Sequence, residues 1–316
     1  MSMPRALLSR DRFSLVFLLA PFLGLWTAFW LIPSILGLDL SFRPPVFASG
    51  EVDAVLNGEI ATKSDSYVGL DNYRKVLDDP RFWKSLCNSF FYVTGSILVI
   101  LPLSLVLALN LLSLNQKIRP LFAFCLIIPG LAMPGVLSTL FYLFFHGREG
   151  ALNQYLILPL GLKPINWMMD PNFILPSMVL QSVWRWTGMI TLFLLSGLEG
   201  IPKWQLESAR IEGLDLWERC RFVWLPGVRN LMLFSAVFLT VEGFASFSGA
   251  YSLLGGSGGI MDSGLLFVTY LYQVAFPGGS GSFDFPAASA MSLLVVPVIA
   301  LFLFWVLRMR SMSKMS

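Results

Sequence analysis

Long apolar runs separated by shorter polar pieces dominate the chain. A helix that crosses the hydrocarbon core of a bilayer needs roughly 20 predominantly apolar residues. Six segments are long enough for one such helix each, and they lie within residues 13–38, 85–116, 120–147, 173–198, 230–253 and 285–307. Arg185 interrupts the fourth segment and Glu242 interrupts the fifth. The pattern predicts an all-α, polytopic membrane protein with six transmembrane helices.

The polar pieces between these segments predict the orientation of the chain. Four of them are rich in Lys and Arg, namely residues 1–12, 114–119, 199–229 and 308–316, whereas the acidic residues are concentrated in the other pieces. Basic residues accumulate on the cytoplasmic side of membrane proteins. Both termini are therefore expected in the cytoplasm.

The composition agrees with a membrane protein. Charged residues make up 13% of the chain and apolar residues 56%, and the mean hydropathy is +0.70. A soluble domain carries about 25% charged residues. The net charge of +3 follows from the predicted topology, so it indicates no nucleic-acid partner.

The chain is expected to divide into a tail with the first transmembrane helix, an extracytoplasmic loop, a core of five helices, and a second tail. The corresponding ranges are 1–38, 39–84, 85–308 and 309–316, and the core includes a cytoplasmic loop at 199–229. Apolar residues recur at helical spacing from Leu70 to Leu77, which favours an amphipathic helix at the outer membrane surface.

Proline and glycine predict two irregular regions. The sequence IIPGLAMPG, residues 127–135, contains two prolines inside the third apolar segment, and proline kinks or breaks a helix. The piece 251–284 is rich in Gly and Ser, which favours an irregular, mobile loop.

The stretch ESARIEGLDLWERC, residues 207–220, carries the densest cluster of charge in the chain. Pairs of opposite charge recur there at the three- and four-residue spacing that stabilises an exposed helix. Gly213 lies inside this pattern, where glycine costs a helix about 1 kcal/mol relative to alanine. The stretch therefore predicts two short cytoplasmic helices that meet near Gly213; a solvated amphipathic loop is the alternative.

Residues 207–226, ESARIEGLDLWERCRFVWLP, resemble the cytoplasmic signature loop of binding-protein-dependent ABC importer permeases, whose pattern is roughly E-A-A-x-x-D-G-A followed by a Leu-Pro pair. The matching residues are Glu207, Ala209, Gly213, Leu225 and Pro226, whereas Ser208, Glu212 and Leu214 replace the usual Ala, Asp and small residue. The resemblance implies that residues 203–222 couple the chain to a cytoplasmic ATPase.

Other segments resemble the carbohydrate-import branch of this family, in the same order along the chain. They are GLDNYRKVLDDPRFWKSLCNSF, GREGALNQYL with INWMMDP, WRWTGMITLFLLSGLEGIPKWQLESA, and LLGGSGGIMDSGLLFVTYLYQVAF. The resemblance implies the type I ABC importer permease fold. It also implies a heteromeric complex with a second homologous permease subunit, a cytoplasmic ABC ATPase dimer and an extracytoplasmic solute-binding protein.

The sequence contains no G-x-x-x-x-G-K-[ST] phosphate loop, which is the motif that cradles nucleotide phosphates. We therefore expect a transport subunit that is not itself an enzyme, with no cofactor in this chain and with ATP and Mg²⁺ on the partner ATPase. We also expect no catalytic residue and no metal site. A secondary transporter and an intramembrane enzyme are less favoured alternatives, since no internal repeat is visible and the chain has one His.

Polar and aromatic residues in the fourth and fifth segments are candidates for a solute path. Intramembrane charges are costly and usually face a cavity or a partner, and sugar sites combine flat apolar surfaces with convergent polar groups. The candidates are Gln181, Trp184, Arg185, Glu242, Ser246, Phe247 and Tyr251. Arg185 and Glu242 are expected to pair or to line the path together, while the aromatic residues could instead pack or face lipid. A sugar or related polyol is the expected solute, and a non-sugar or anionic solute that uses Arg185 is the alternative.

Overall fold

The computed structural model describes residues 17, 19–45, 67–276 and 283–312, so most of the two predicted tails lies outside the described residues. The described residues form helices and connecting segments, with no strand among them. The helices are α1 (Leu19–Leu40), α2 (Asp71–Leu77), α3 (Pro80–Ser113), α4 (Arg119–Leu131), α5 (Pro134–Phe144), α6 (Pro171–Glu199), α7 (Lys203–Ile211), α8 (Leu216–Phe244), α9 (Ser248–Leu253), α10 (Phe267–Ala275) and α11 (Phe285–Met312). Both α1 and α8 are continuous through a π-helical stretch, at Thr27–Leu31 and Cys220–Trp224.

Five of these helices are long and apolar enough to cross a membrane: α1, α3, α6, α8 and α11. The pair α4 and α5 adds a sixth span if the two helices are counted as one, although they are bent by 97° at the break between them. The six predicted segments therefore each correspond to a helix or to this bent pair.

The break between α4 and α5 lies in the predicted proline-rich segment. Ala132 and Met133 have extended backbone, with ψ of 136° and 130°. Met133 precedes Pro134, and the residue before a proline is pushed out of the helical region by the proline ring. The predicted kink is confirmed, and it is a complete break.

The helices α3 and α6 begin with the same local device. Each follows an aspartate N-cap and has proline at its first position; Asp79 Oδ1 accepts a hydrogen bond from Arg81 N, and Asp170 Oδ1 accepts one from Asn172 N, both at 2.9 Å. The carboxylate satisfies a backbone donor that the first turn leaves free, and proline has no donor to satisfy. The local sequence thus determines where two long helices begin.

Contact clustering divides the chain into two compact units, Met1–Asp78 with Gln273–Val295, and Asp79–Tyr272 with Val296–Ser316. In the first unit, buried Asn72 donates hydrogen bonds to the carbonyl oxygens of Ser41 at 2.8 Å and Arg43 at 2.7 Å. Lys75 forms an ion pair of 2.5 Å with Asp284. Asn72 thus joins α2, the helix that the spacing predicted, to the start of the predicted loop at 39–84, and Lys75 joins α2 to the residue before α11.

The second unit is built on α3, α6 and α8, with α4 packed against α6. Gly188 of α6 lies so close to α4 that a Cβ atom there would be 1.6 Å from the carbonyl oxygen of Leu126. Ser104 of α3 donates a hydrogen bond of 3.0 Å to the carbonyl oxygen of Thr187. Small residues allow such close approaches between helices, and the hydroxyl group adds an interhelical hydrogen bond.

Two sequence-based boundaries are wrong. The fifth segment was expected at residues 230–253, but α8 begins at Leu216 and ends at Phe244, and a separate short helix follows. Hydropathy misses the start of α8 because charged residues lower the hydropathy of its first turns. It misses the end of α8 because apolar residues continue past Phe244. In the described part of the Gly- and Ser-rich piece, residues 251–276 and 283–284, α10 is a regular helix that the composition did not predict, and residues 277–282 lie outside the described residues.

Tyr270 of α10 holds that helix to the start of α3 by donating a hydrogen bond to Asp79. Burial raises the pKa of Tyr270 above its ordinary value, and the hydrogen bond to the Asp79 carboxylate raises this pKa further. Arg81 makes a two-point ion pair with Asp262, both contacts at 2.9 Å. These polar contacts order a segment that its glycine content made appear irregular.

Candidate functional site

A small polar cavity lies among α3, α6 and α8, with α5 and α9 completing its wall. Its volume is about 30 Å³. The polar residues of its wall are Tyr92, Ser96, Gln181, Ser182, Arg185, Glu242 and Ser246. Four of these are candidates from the sequence, and the structure brings Gln181 and Arg185 of α6 together with Glu242 of α8 and with Ser246, which follows α8.

Arg185 lies at the midpoint of α6, about 21 Å from either end at 1.5 Å per residue. Its guanidinium carbon lies 4.8 Å from the centre of the Trp186 ring. Its Nε atom is buried and has no hydrogen-bond partner among the described residues. A buried donor without a partner costs free energy, so the cavity holds an arginine whose Nε–H can donate a hydrogen bond to a solute or to water.

Glu242 is half-buried and lies two residues before the end of α8. It interacts electrostatically with Arg185, yet no ion pair within 4.0 Å joins the two among the described ion pairs. The two opposite charges therefore line one cavity without direct contact. Their shared presence keeps the cavity close to neutral overall.

Hydrogen bonds across the cavity wall connect its helices. Gln181 Nε2 donates to the hydroxyl of Ser138 on α5 at 3.0 Å, and that hydroxyl donates to the carbonyl oxygen of Gly249 on α9 at 2.8 Å. On the α3 side, the Tyr92 hydroxyl interacts with Ser182 and Ser246. Each wall helix is thus connected through a side chain that could exchange its partner for a solute hydroxyl.

Four polar residues of this region were missed by the sequence reasoning: Tyr92, Ser96, Ser138 and Ser182. Serine is common inside membrane helices because its hydroxyl can bond the preceding turn of its own helix. Residue type alone therefore gives no signal, and only their convergence in the folded chain distinguishes them.

The three aromatic candidates lie outside the cavity wall. Trp184 is 46% exposed and packs with its ring 5.7 Å from that of Phe141. Phe247 and Tyr251 pack on each other at 5.0 Å and on Tyr272 at 4.9 and 5.4 Å. In this conformation they form packing clusters on other faces of the helices.

The volume of the cavity limits what it can hold. A single water needs about 10–15 Å³ of such volume, so the cavity has room for roughly two waters. A monosaccharide ring does not fit. Solute could enter only after the helices of the wall separate.

The charged segment at residues 207–220 belongs to two helices that meet at Gly213, as predicted. Helix α7 ends in a Schellman motif: Leu214 N donates to Ala209 O at 3.0 Å and Gly213 N donates to Arg210 O at 3.1 Å. This motif requires a left-handed residue after the helix, which glycine adopts without strain, and Gly213 has φ of +73°. Gly213 therefore ends α7, in a backbone conformation that glycine adopts without strain.

Helix α8 begins immediately after this motif with a capping box. Asp215 Oδ1 accepts from Glu218 N at 2.7 Å, and Glu218 Oε2 accepts from Asp215 N at 2.9 Å. Such reciprocal bonds satisfy two backbone donors at a helix start. The turn between α7 and α8 is thus fixed on both sides by local hydrogen bonds.

Most of the predicted coupling residues are exposed: Glu207, Ser208, Glu212, Gly213 and Pro226. Leu214 is half-buried, and Ala209 is 3% exposed and faces the rest of the chain. Large apolar side chains beside them are open to solvent, with Ile211 87% and Trp217 72% exposed. Exposed apolar groups rimmed by charge are typical of a protein contact surface.

Two solved structures share this fold. A bacterial ABC transporter involved in the import of the acidic polysaccharide alginate matches with a TM-score of 0.77 and 16% identity, over 97% of this chain and 98% of that one. The alginate transporter in complex with its pentasaccharide-bound periplasmic protein matches with a TM-score of 0.75, over 96% of both chains. The predicted ABC importer permease fold is confirmed.

Several relatives share about 30% of their residues with this chain. The arabinooligosaccharides transport system permease protein AraP of Bacillus subtilis is 31% identical over 89% of this chain and 83% of its own length. The trehalose/maltose transport system permease protein MalF of Thermococcus litoralis is 30% identical over 75% of this chain and 77% of its own length. The lactose transport system permease protein LacF of Rhizobium radiobacter is 28% identical over 77% of this chain and 82% of its own length.

A family profile matches residues 92–311, which include the polar cavity, the break between α4 and α5, and the charged cytoplasmic segment. The match spans more than half of the chain, so the predicted family is confirmed. The chain belongs to the family of binding-protein-dependent transport system inner membrane components.

Proposed function

We propose that this chain is the permease subunit through which an ATP-driven importer moves a sugar or related polyol across the inner membrane. The observation that carries the proposal is the polar cavity at mid-height of α6, in a chain of this family. Its hydroxyl, amide and charged groups converge in an otherwise apolar surrounding. Such groups exchange hydrogen bonds readily with the hydroxyls of a carbohydrate.

The relatives support the choice of a sugar. Three of them, AraP, MalF and LacF, carry names of transport systems for arabinooligosaccharides, trehalose or maltose, and lactose. The near-neutral balance of Arg185 and Glu242 suits an uncharged solute, because an anion would face the carboxylate as well as the guanidinium. Each group can bond one hydroxyl of a sugar.

An anionic solute is the second candidate. The buried Nε of Arg185 has no hydrogen-bond partner among the described residues, and arginine is well suited to bind a carboxylate. The solved alginate transporter imports an acidic polysaccharide. For this solute Arg185 would make the main contact, and Glu242 would have to turn away or be neutralised.

The proposed complex contains a second homologous permease subunit, a cytoplasmic ABC ATPase dimer that binds ATP and Mg²⁺, and an extracytoplasmic solute-binding protein. The exposed segment from Lys203 to Pro226 supports a contact with the ATPase, because it presents charged and large apolar side chains on a rigid turn. In the proposed cycle, ATP binding moves this segment, the helices separate on the outer side, and the binding protein releases solute toward the cavity.

The test uses the complete complex reconstituted in proteoliposomes, with a panel of neutral and acidic sugars offered to its binding protein. We expect ATP-dependent uptake of a retained sugar, and a loss of uptake of at least about fivefold for Glu207→Ala, since truncating an important contact at an interface costs more than about 1 kcal/mol. The matched control is Asp78→Ala, which removes an exposed carboxylate far along the chain.

Uptake that persists without the ATPase would contradict the proposal. So would equal uptake by the Glu207→Ala and Asp78→Ala complexes. Retention of acidic sugars alone would select the second candidate in place of the first.

A further inference from the structure

Helix α4 contacts α6 at three levels. At its first residue, Arg119 Nη2 forms an ion pair of 2.5 Å with Glu199 Oε1, the last residue of α6. In its middle, the carbonyl group of Leu126 lies against Gly188. Near its end, Gly130 lies so close to α6 that a Cβ atom there would be 3.4 Å from the carbonyl oxygen of Arg185.

These contacts form a narrow strip along α4. No residue of α4 is buried, and several of its large side chains, such as Phe122 and Phe124, are more than half exposed. Among the described helices, α4 packs mainly against α6, so a movement of α6 is expected to carry α4 with it. The contact at its inner end is electrostatic, with the Arg119 side chain 17% and the Glu199 side chain 51% exposed.

Glu199 lies next to the proposed ATPase contact. Only residues 200–202 separate it from Lys203, the first residue of α7. Two of these are held by turns of backbone hydrogen bonds, from Gly200 N to Gly197 O at 3.1 Å and from Ile201 N to Leu198 O at 3.3 Å. A displacement of α7 therefore reaches Glu199 through a short, bonded connection.

The other end of α4 leads to the cavity. After Leu131, two extended residues connect α4 to α5, whose Pro134 and Leu137 belong to the cavity wall. Because the helices are bent by 97° at this break, a shift of α4 along α6 changes the position of α5 at the wall.

We infer that the Arg119–Glu199 ion pair is a positioning contact that makes α4, and through it the cavity wall, follow the movement of α7. The inference rests on the proposed function, since it takes α7 to be the part that the ATPase moves. It assigns a role to two residues outside both the charged segment and the cavity. Their role is to link ATP hydrolysis to solute movement, with no contact to either ATP or solute.

An ion pair that only stabilises the chain would have different consequences. If this partly buried pair only stabilised the chain, its loss would lower the amount of assembled complex without changing how many solute molecules that complex imports per ATP. The discriminating quantity is therefore the number of solute molecules imported per ATP hydrolysed, measured on assembled complex.

The experiment compares Arg119→Glu, Glu199→Arg and the double variant with exchanged charges, each in the complete complex in proteoliposomes. The solute is the sugar that the wild-type binding protein retains. Each single variant should lower the import per ATP by about fivefold or more, the lower end of typical coupling between two sites, while ATP hydrolysis continues. In the double variant, the import per ATP should be within about twofold of the wild-type value, because the ion pair is restored with its polarity reversed.

Lys117→Glu is the matched control, since it reverses an exposed charge two residues before Arg119, and it should leave the ratio unchanged. Glu199→Gln keeps the size of the side chain and removes only its charge, so it serves if charge reversal prevents assembly; it should lower the ratio in the same direction. Import and hydrolysis that fall in proportion, an unchanged ratio in Glu199→Gln, or a double variant no better than the single ones would overturn the inference. A wild-type complex without ATP-dependent uptake would instead overturn the proposed function, and the inference with it.

Discussion

The charged segment and the polar cavity differ in how their residues are brought together. The segment from α7 to the start of α8 is contiguous, and its shape follows from hydrogen bonds that span five residues or fewer. The cavity takes its wall from residues as far apart as Tyr92 and Ala250, so it depends on the packing of whole helices. The shape of the charged segment should therefore survive substitutions elsewhere in the chain, whereas the cavity should change when any of its helices shifts.

The largest expected effect comes from changing the helix packing that shapes the cavity. Gly188→Ala would place a Cβ atom 1.6 Å from the carbonyl oxygen of Leu126, and a backbone atom cannot rotate away. We expect a loss of about 3 kcal/mol in stability or more, seen as a lower melting temperature of the purified complex and as lost uptake.

Gly249→Ala is the control for this prediction, because a Cβ atom there has its nearest neighbour at 3.9 Å. It should change the melting temperature little. Equal melting temperatures for the two variants would show that α4 and α6 pack less closely than the structure has them.

The next largest effect concerns the two charges of the cavity. Arg185→Gln or Glu242→Gln would leave one intramembrane charge without its opposite, which costs a few kcal/mol. The double variant should be more stable than either single one, because no uncompensated charge remains. Melting temperatures of all three complexes, together with solute uptake, measure this coupling.

Strictly additive losses in that cycle would mean that the two charges act independently. Intact uptake and intact assembly in both single variants would remove Arg185 and Glu242 from the solute path altogether.

A smaller effect in stability, but a specific one in function, is expected at the turn between α7 and α8. Gly213→Ala meets no atom within 4 Å, so it adds only the strain of a left-handed alanine at φ of +73°, about 1–2 kcal/mol. That strain would tilt α7 away from its exposed position. Uptake should therefore fall by more than the loss of stability alone would cause. Uptake and melting temperature are measured on the same preparation.

Gly69→Ala is the matched control, because it introduces the same kind of backbone strain outside the charged segment. Gly69 has φ of +61°, and an added Cβ atom there would also have no atom within 4 Å. It should cost similar stability and leave uptake intact. A parallel loss of uptake in both variants would show that the turn at Gly213 has no special part in transport.

The smallest effect is expected away from both regions, at Tyr270. Its pKa is raised in the folded chain, whereas an unfolded tyrosine titrates near about 10. As the pH rises past about 10, the unfolded state loses this proton first, so the folded state is destabilised. Tyr270→Phe should flatten the fall in melting temperature above that pH, and cost about 1 kcal/mol at neutral pH for the lost hydrogen bond to Asp79. If the melting temperature of Tyr270→Phe fell as steeply with rising pH as that of the wild type, the raised pKa of Tyr270 would not be the cause of the fall.

Much of the fold could be predicted because the bilayer restricts what a chain can do. An apolar run of about 20 residues has to become a helix in lipid, so the spans follow from hydropathy, whereas the orientation that the basic residues indicate stays a prediction. Boundaries were less accessible: α8 starts at Leu216 because Asp215 and Glu218 cap it, and hydropathy does not detect capping. The end of α8 at Phe244 leaves no mark in composition, since apolar residues continue beyond it.

The sequence by itself determined the helical membrane fold, the family, the break before Pro134 and the turn at Gly213, because each depends on lipid or on neighbours within a few residues. Only the tertiary structure decided which polar residues meet. Helix packing placed Tyr92, Ser182 and Arg185 in one cavity and left Trp184 outside the cavity wall. It also brought Arg119 into contact with Glu199. These contacts depend on how helices rotate and cross, which side-chain packing over the whole chain determines and no short stretch of sequence encodes.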